Sequence, residues 1–246
     1  MFDYDARVAF IVAHPDDETL GAGLLLQRLR HADIVYCATG RGRWPSNWWL
    51  NRAFPSRRSQ LRIEEARRAI AVSGKNHSVQ FLGYQDGWLA DYLDDAYRSL
   101  ADLLRVWQPQ HVVTHAFDGG HEDHDACSFL AYQLSRAFNF QVWEMPLYYR
   151  QAGTHTLTMQ AFTTSDPEDV TLRPASEAEL EVKCAMLAAH QSQQAVIATF
   201  DPTMEKFRRQ PLHDFDRAQL GIPRRRLFGI SPSRVAQAFR SWKQPK

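Results

Sequence analysis

Along the first 150 residues, short apolar runs alternate with longer stretches whose apolar positions recur every three or four residues. The runs near 7–13, 33–38, 78–83, 111–116 and 141–148 predict strands, and Val8-Ala9-Phe10-Ile11-Val12 is apolar throughout, as a strand buried on both faces requires. The stretches near 18–30, 57–73, 91–107 and 124–138 predict helices; Leu93, Tyr97, Leu100, Leu104 and Trp107 fall on one helical face. Strands and helices alternating at these intervals build βαβ units and a parallel sheet. From 147 to about 173 the chain becomes Thr-rich and alternating, which predicts short antiparallel strands. Residues 177–196 predict a helix with Ser176 as its N-cap and Glu179 at the capping-box position. The last segment is rich in Pro, Arg and Phe. The expected fold is α/β: a Rossmann-like, mostly parallel sheet flanked by helices, with a smaller C-terminal α+β portion. One domain is expected over 1–246, with a Rossmann-like core in 1–150 that 151–246 complete.

Such a sheet does not by itself imply a dinucleotide, and the glycine fingerprint is missing after the first strand. Gly21-Ala22-Gly23 comes too late and runs into Leu24-Leu25-Leu26 instead of a third glycine. With 246 residues, 44% of them hydrophobic, the chain can bury a sizeable core. No apolar run approaches the roughly 20 residues of a membrane span, and the opening Met1-Phe2-Asp3-Tyr4-Asp5 is unlike a signal peptide. A cytoplasmic protein is expected. Cys37, Cys127 and Cys184 are odd in number and widely separated, so reduced, mostly packed thiols are expected in place of a disulfide framework.

Charge is uneven. Residues 201–246 carry eleven Lys/Arg against four Asp/Glu, although the whole chain is only +1. This basic segment reads either as contact with an anionic partner or as a solvated helix and loop or a subunit contact. No zinc-finger, RNP-like or helix-turn-helix pattern accompanies it, so nucleic acid is not expected as a partner.

The chemistry lies where two predicted strands end. Behind the first comes Ala13-His14-Pro15-Asp16-Asp17-Glu18, an imidazole with three carboxylates. About a hundred residues later, His111-Val112-Val113-Thr114-His115 leads into Ala116-Phe117-Asp118-Gly119-Gly120-His121-Glu122-Asp123-His124-Asp125. Ligands of open α/β sheets bind outside the carboxyl ends of strands, and His and Asp are natural zinc ligands. Two such segments at two strand ends indicate a metal site. His115 could support a ligand from behind, but its place within an alternating strand favours packing; Cys127, one turn beyond His124, could be a further ligand, but a buried helix face is the expectation.

These segments resemble the paired AHPDDE and HPDH-type motifs of the PIG-L/LmbE-like zinc-dependent N-acetylglucosaminyl deacetylase family. Arg62-Ile63-Glu64-Glu65-Ala66 is similar to the family's R-x-x-E helix, and Lys183 with Ala189-His190-Gln191-Ser192-Gln193 to its late K…H-x-S-Q segment. The resemblance implies Zn2+ as cofactor, with His14, Asp17 and His124 as ligands and an open position for water. It implies Asp16 as the general base and His121 as the group that stabilises the tetrahedral oxyanion and assists the departing amine. Asp123 and Asp118 are both candidates to orient a histidine. Glu122 stands where the family commonly has proline, which puts the rigidity of that loop in question.

The implied activity is a metal-dependent amide hydrolase that removes the acetyl group from an N-acetylglucosaminyl-type or related small-molecule substrate. Two rivals are an amidase acting on a larger amide conjugate and a noncatalytic metal- or glycan-binding protein; retention of Asp16 and His121 beside all three implied ligands argues against a degenerate site. Residues 41–58 form a connection too long to be minimal, and long loops in compact domains are often functional. Its Trp44, Trp48 and Trp49, among five arginines, suit a sugar ring and an anionic group. They suit the interface of a homo-oligomer equally well. By resemblance Arg62 borders the substrate pocket, whereas a structural pair with Glu65 one turn away is the plain alternative.

Overall fold

The computed structural model describes residues 3–39, 56–150, 156–217 and 232–245. Strands β1 (Val8–Val12), β2 (Ala32–Ala38), β3 (Ser78–Tyr84), β4 (His111–His115) and β5 (Gln141–Met145) run parallel in the order β3-β2-β1-β4-β5. The hairpin of β6 (Tyr148–Arg150) and β7 (Leu157–Met159) stands apart from them. Antiparallel strands β8 (Val170–Leu172) and β9 (Glu205–Arg209) extend the main sheet, with β9 lying between β5 and β8.

Both faces of the sheet are covered, which is why β1 can be apolar throughout. Val8, Phe10 and Val12 share a core with Leu25 and Leu26 of α1 (Asp17–Arg28) and with Ala66, Ala69 and Ile70 of α2 (Arg57–Val72). On the opposite face, Ala9 and Ile11 share a core with Leu93, Tyr97, Leu100 and Leu104 of α3 (Leu93–Trp107) and Phe129, Leu130 and Leu134 of α4 (Glu122–Ala137). Strand order reverses between β1 and β4, and the crevice outside their carboxyl ends is the site this topology offers a ligand. The Rossmann-like, mostly parallel α/β fold expected from the sequence is the observed one. Among the described residues no helix is long and apolar enough to cross a membrane.

Several boundaries differ from expectation for identifiable reasons. The strand predicted over 141–148 stops at Met145, because Pro146 lacks an amide for the ladder and Tyr148 opens the β6–β7 hairpin. The helix predicted over 177–196 is α5 (Glu177–Ala188), then a 3-10 turn at Gln191–Gln193 and a single turn, α6 (Gln194–Ile197). His190 leaves helical geometry at φ −86°, ψ 60° and turns its Nε2 to Thr19 Oγ1 at 3.2 Å. Ser192 then donates its amide and hydroxyl to Glu65, at 2.9 and 2.6 Å. Ser176 caps α5 as predicted, accepting from Glu179 N, but the Glu179 carboxylate accepts from Ala175 N and Arg28. In the basic final segment the structure holds α7 (Pro232–Ser241), where a solvated helix and loop was one reading, and adds β9, which was not anticipated.

Candidate metal centre and active site

A tight turn after β1 brings His14, Asp16 and Asp17 to the switch point. Asp16 N and Asp17 N both donate to His14 O, and His14 N donates to Asp17 Oδ2 at 2.6 Å. His14 Nε2 faces Asp86 Oδ1 at 3.1 Å and Asp123 Oδ2 at 3.2 Å. The hydrogen of the neutral ring therefore belongs on Nε2, and the Nδ1 lone pair faces Asp17 Oδ2 at 3.4 Å. Asp123 is itself fixed, accepting from Gly87 N at 2.6 Å and Leu89 N at 2.9 Å. This answers the open choice between two acids. Asp123 orients His14, whereas Asp118 accepts from Gly120 N within its own loop and is pushed up to about 7 by burial.

From the other strand end, α4 delivers His124. Its Nε2 lies 3.6 Å from Asp17 Oδ1, is buried, and makes no hydrogen bond. His115, which the strand pattern assigned to packing, belongs to this cluster: its ring stacks on His124 at 3.9 Å and 3°, and its Nε2 accepts from Ala13 N and lies 3.3 Å from Asp17 Oδ2. The donor atoms fall into overlapping groups, each within 4.8 Å: His14 with His121 and His124; Asp17 with His115 and His124; and His14 with Asp86, His121 and Asp123.

The electrostatics of the expected ligands suit a cation. Burial and neighbouring His115 hold His124 well below the usual imidazole range, leaving a neutral ring with a free lone pair. Burial opposes the charge on Asp17, yet His124 and His115 hold its carboxyl well below the usual range. Burial likewise opposes a charge on His14, but Asp86, Asp123 and Asp17 raise it well above the ordinary value. A metal competes with a proton for the same lone pair, so carboxylates that favour one favour the other.

Asp16 stands at the N-cap position of α1 without a side-chain capping bond and instead accepts from Arg62 Nη2 on Oδ1 at 2.6 Å, with both groups buried. Burial opposes the Arg62 charge, while Asp16, Asp86 and Asp17 raise its pKa. Arg62 and Glu65 do not pair with each other: the first holds Asp16 and the second Ser192. Arg62 also lines a cleft of about 280 Å³ with His14, Asp16, Asp17, Asp86 and His121. His121 is the N-cap of α4; its Nδ1 accepts from Asp123 N at 3.1 Å, so Nε2 carries the hydrogen of the neutral ring and points to Asp86 at 3.5 Å. Burial opposes charge on His121, but its contact with Asp86 raises the pKa.

Residues 9–135, just over half of the chain, match the PIG-L family, described as GlcNAc-PI de-N-acetylase. The chain belongs to this family. Over 147 residues it is 32% identical to the 1D-myo-inositol 2-acetamido-2-deoxy-alpha-D-glucopyranoside deacetylase of Thermobifida fusca, a match spanning 49% of this chain and about half, 51%, of that protein's length. The like-named protein of Thermobispora bispora is 27% identical over 280 aligned positions, 92% of each chain. A deacetylase of the teicoplanin biosynthesis pathway, solved as a bog complex, superposes with a TM-score of 0.61 over 83% of this chain and 98% of that one; at 15% identity the likeness is one of fold.

Within this PIG-L chain, Asp86 is a site residue that sequence reasoning missed outright, whereas His115 was noticed but assigned to packing. Asp86 follows Gly83-Tyr84-Gln85 singly, with no motif around it, and its position at the end of β3 was the only available signal. Cys127 is buried against Cys37 in the core, as expected of a packed thiol. Glu122 occupies the first position of α4, where proline is favoured but an acid also suits the helix dipole. Trp44, Trp48 and Trp49 lie outside the described residues.

Proposed function

We propose that this PIG-L chain is a zinc-dependent N-deacetylase that hydrolyses the acetamide of an N-acetylglucosaminyl-type substrate to acetate and a free amine. The observation that carries this reading is Asp17, whose Oδ1 lies 3.6 Å from the buried, hydrogen-bond-free His124 Nε2 and whose Oδ2 lies 3.4 Å from His14 Nδ1, at a cleft lined by His14, Asp16, Asp17 and His121. His14, Asp17 and His124 would hold Zn2+. When bound, the ion lowers the pKa of water and polarises the acetyl carbonyl.

The chain's own residues supply the remaining chemistry. Asp16, kept in place through the Arg62 contact on Oδ1, takes the proton of the attacking water and returns it to the departing nitrogen. His121 directs its Nε2 hydrogen into the cleft and stabilises the negative charge that the carbonyl oxygen gains; Asp86 beside it favours positive charge on the ring as that happens. Asp123 fixes the tautomer of His14 from behind, as partners of metal-ligating histidines do.

The test is acetate release from a panel of N-acetylated sugars by zinc-loaded protein, before and after chelation. Release that chelator abolishes and zinc restores is expected; zinc-loaded, folded protein that releases acetate from no N-acetylated sugar overturns the reading.

A further inference from the structure

We propose that the buried Lys183–Glu205 pair is a positioning device for Asp16 and Asp17, a role that rests on reading those residues as general base and metal ligand. The pattern of the sequence predicts one continuous helix over 18–30. Instead, α1 is two short helices joined at Ala22, whose φ of −148° and ψ of 19° are not helical. Such a break leaves carbonyls without amides on one side and amides without carbonyls on the other.

Lys183 and Glu205 satisfy both sides. Lys183 Nζ donates to Thr19 O at 2.5 Å and Leu20 O at 3.1 Å, closing the carbonyl end of the first segment. Glu205 accepts from Leu24 N on Oε1 at 2.6 Å and from Leu25 N on Oε2 at 3.1 Å, opening the second. The two charges meet at 2.5 Å, and each residue is only 1% exposed. Each sign stands at the helix end that favours it. Gly21-Ala22-Gly23 is the seat for this arrangement: a Cβ on Gly23 would lie 2.7 Å from Lys183 Cδ, and one on Gly21 would lie 2.6 Å from Met145 Sδ.

The segment bearing Asp17, with Asp16 at its N-cap position, is little more than one turn, too short to hold itself rigid. Its near end is fixed by His14 and Arg62. Its far end is fixed through the backbone of Thr19 and Leu20 by Lys183, and His190 adds a contact to Thr19 Oγ1. Residues more than 160 positions away in sequence thus set where the base and the ligand stand. A pair that merely stabilises the fold would shift the melting temperature and leave zinc affinity and kcat unchanged in folded protein.

The double variant K183M/E205Q separates these roles. It removes both charges together, so neither is left buried alone, and the side-chain amide oxygen introduced in place of the Glu205 carboxylate can still accept from Leu24 N. Zinc affinity by chelator competition, thermal unfolding and steady-state kinetics are measured beside H14A. In folded double variant, zinc affinity and kcat should each fall by about tenfold or more with KM little changed. If H14A loses zinc but the folded double variant keeps wild-type affinity and kcat, the positioning role is overturned and the metal reading stands. If H14A itself binds zinc normally, the metal reading falls and the positioning role with it. Should the double variant not fold, G23A carries the test, since its methyl displaces Lys183 without removing a charge: weaker zinc binding in folded G23A supports the proposal, and unchanged affinity overturns it.

Discussion

Each carboxylate around His14 makes different contacts, and substitution separates the proposed roles. Asp17 faces His124 Nε2 with Oδ1 and His14 Nδ1 with Oδ2, which also accepts from His14 N, whereas Asp123 engages Gly87 N, Leu89 N and His14 Nε2. Removing His14, Asp17 or His124 as an alanine variant should therefore reduce zinc occupancy, each taking away one direct bond; metal analysis of the purified proteins is the check, and full occupancy in all three would remove the ligand assignment. In the proposed mechanism Asp16 and His121 act on water and carbonyl instead. Asp16→Asn and His121→Ala should keep zinc yet lose turnover by about 100- to 10,000-fold, the usual worth of one acid–base group. Near-normal turnover in either zinc-loaded variant would refute its catalytic role.

At the scale of elements, the site depends on how two loops meet, and the loop before α4 is held by close packing. A Cβ on Gly120 would overlap the carbonyl oxygen of Tyr148, a backbone atom that cannot move without shifting β6, and Gly119 next to it sits at φ 73°. Gly120→Ala should therefore cost about 1–3 kcal/mol of stability and displace His121, lowering kcat more than zinc content; thermal unfolding and metal analysis together decide it. Loops of this kind were legible because their histidines and acids cluster behind apolar strands. β9 was not: in Glu205-Lys206-Phe207-Arg208-Arg209 a single apolar residue stands among four charges. Its burial is possible only because Glu205 meets Lys183 and Arg208 meets Glu144 at 3.1 Å, partners from distant parts of the chain. The end of α5 was hidden for a similar reason, since Ser192 finds Glu65 across 127 positions.

Over the whole molecule, the cleft shows a gradient of chemistry from its floor to its mouth. The floor is acidic through Asp16, Asp17 and Asp86, and the Arg62 charge there is already engaged by Asp16. Leu20 is buried beside them and Tyr148 is half-buried, whereas Val196 and Arg58 are exposed at the mouth, Arg58 one turn before Arg62 on α2. Arg58 is exposed and makes no ion pair with another described residue, so its charge remains available to a substrate. In sequence, Trp44, Trp48 and Trp49 precede α2. If this end of the cleft selects the substrate, differences between substrates should appear there and not in the shared chemistry of the floor. Arg58→Gln should lower kcat/KM for a phosphorylated N-acetyl sugar by roughly fivefold, since an exposed ion pair is worth at most about 1 kcal/mol, and leave the uncharged sugar nearly unaffected. Alanine at Trp44, Trp48 or Trp49 should weaken a large conjugate more than free N-acetylglucosamine. Both comparisons are made at matched oligomeric state, because the same residues can serve a subunit interface: equal losses for the two substrates, or losses that track dissociation, assign the loop to assembly, whereas a selective loss with assembly intact assigns it to recognition.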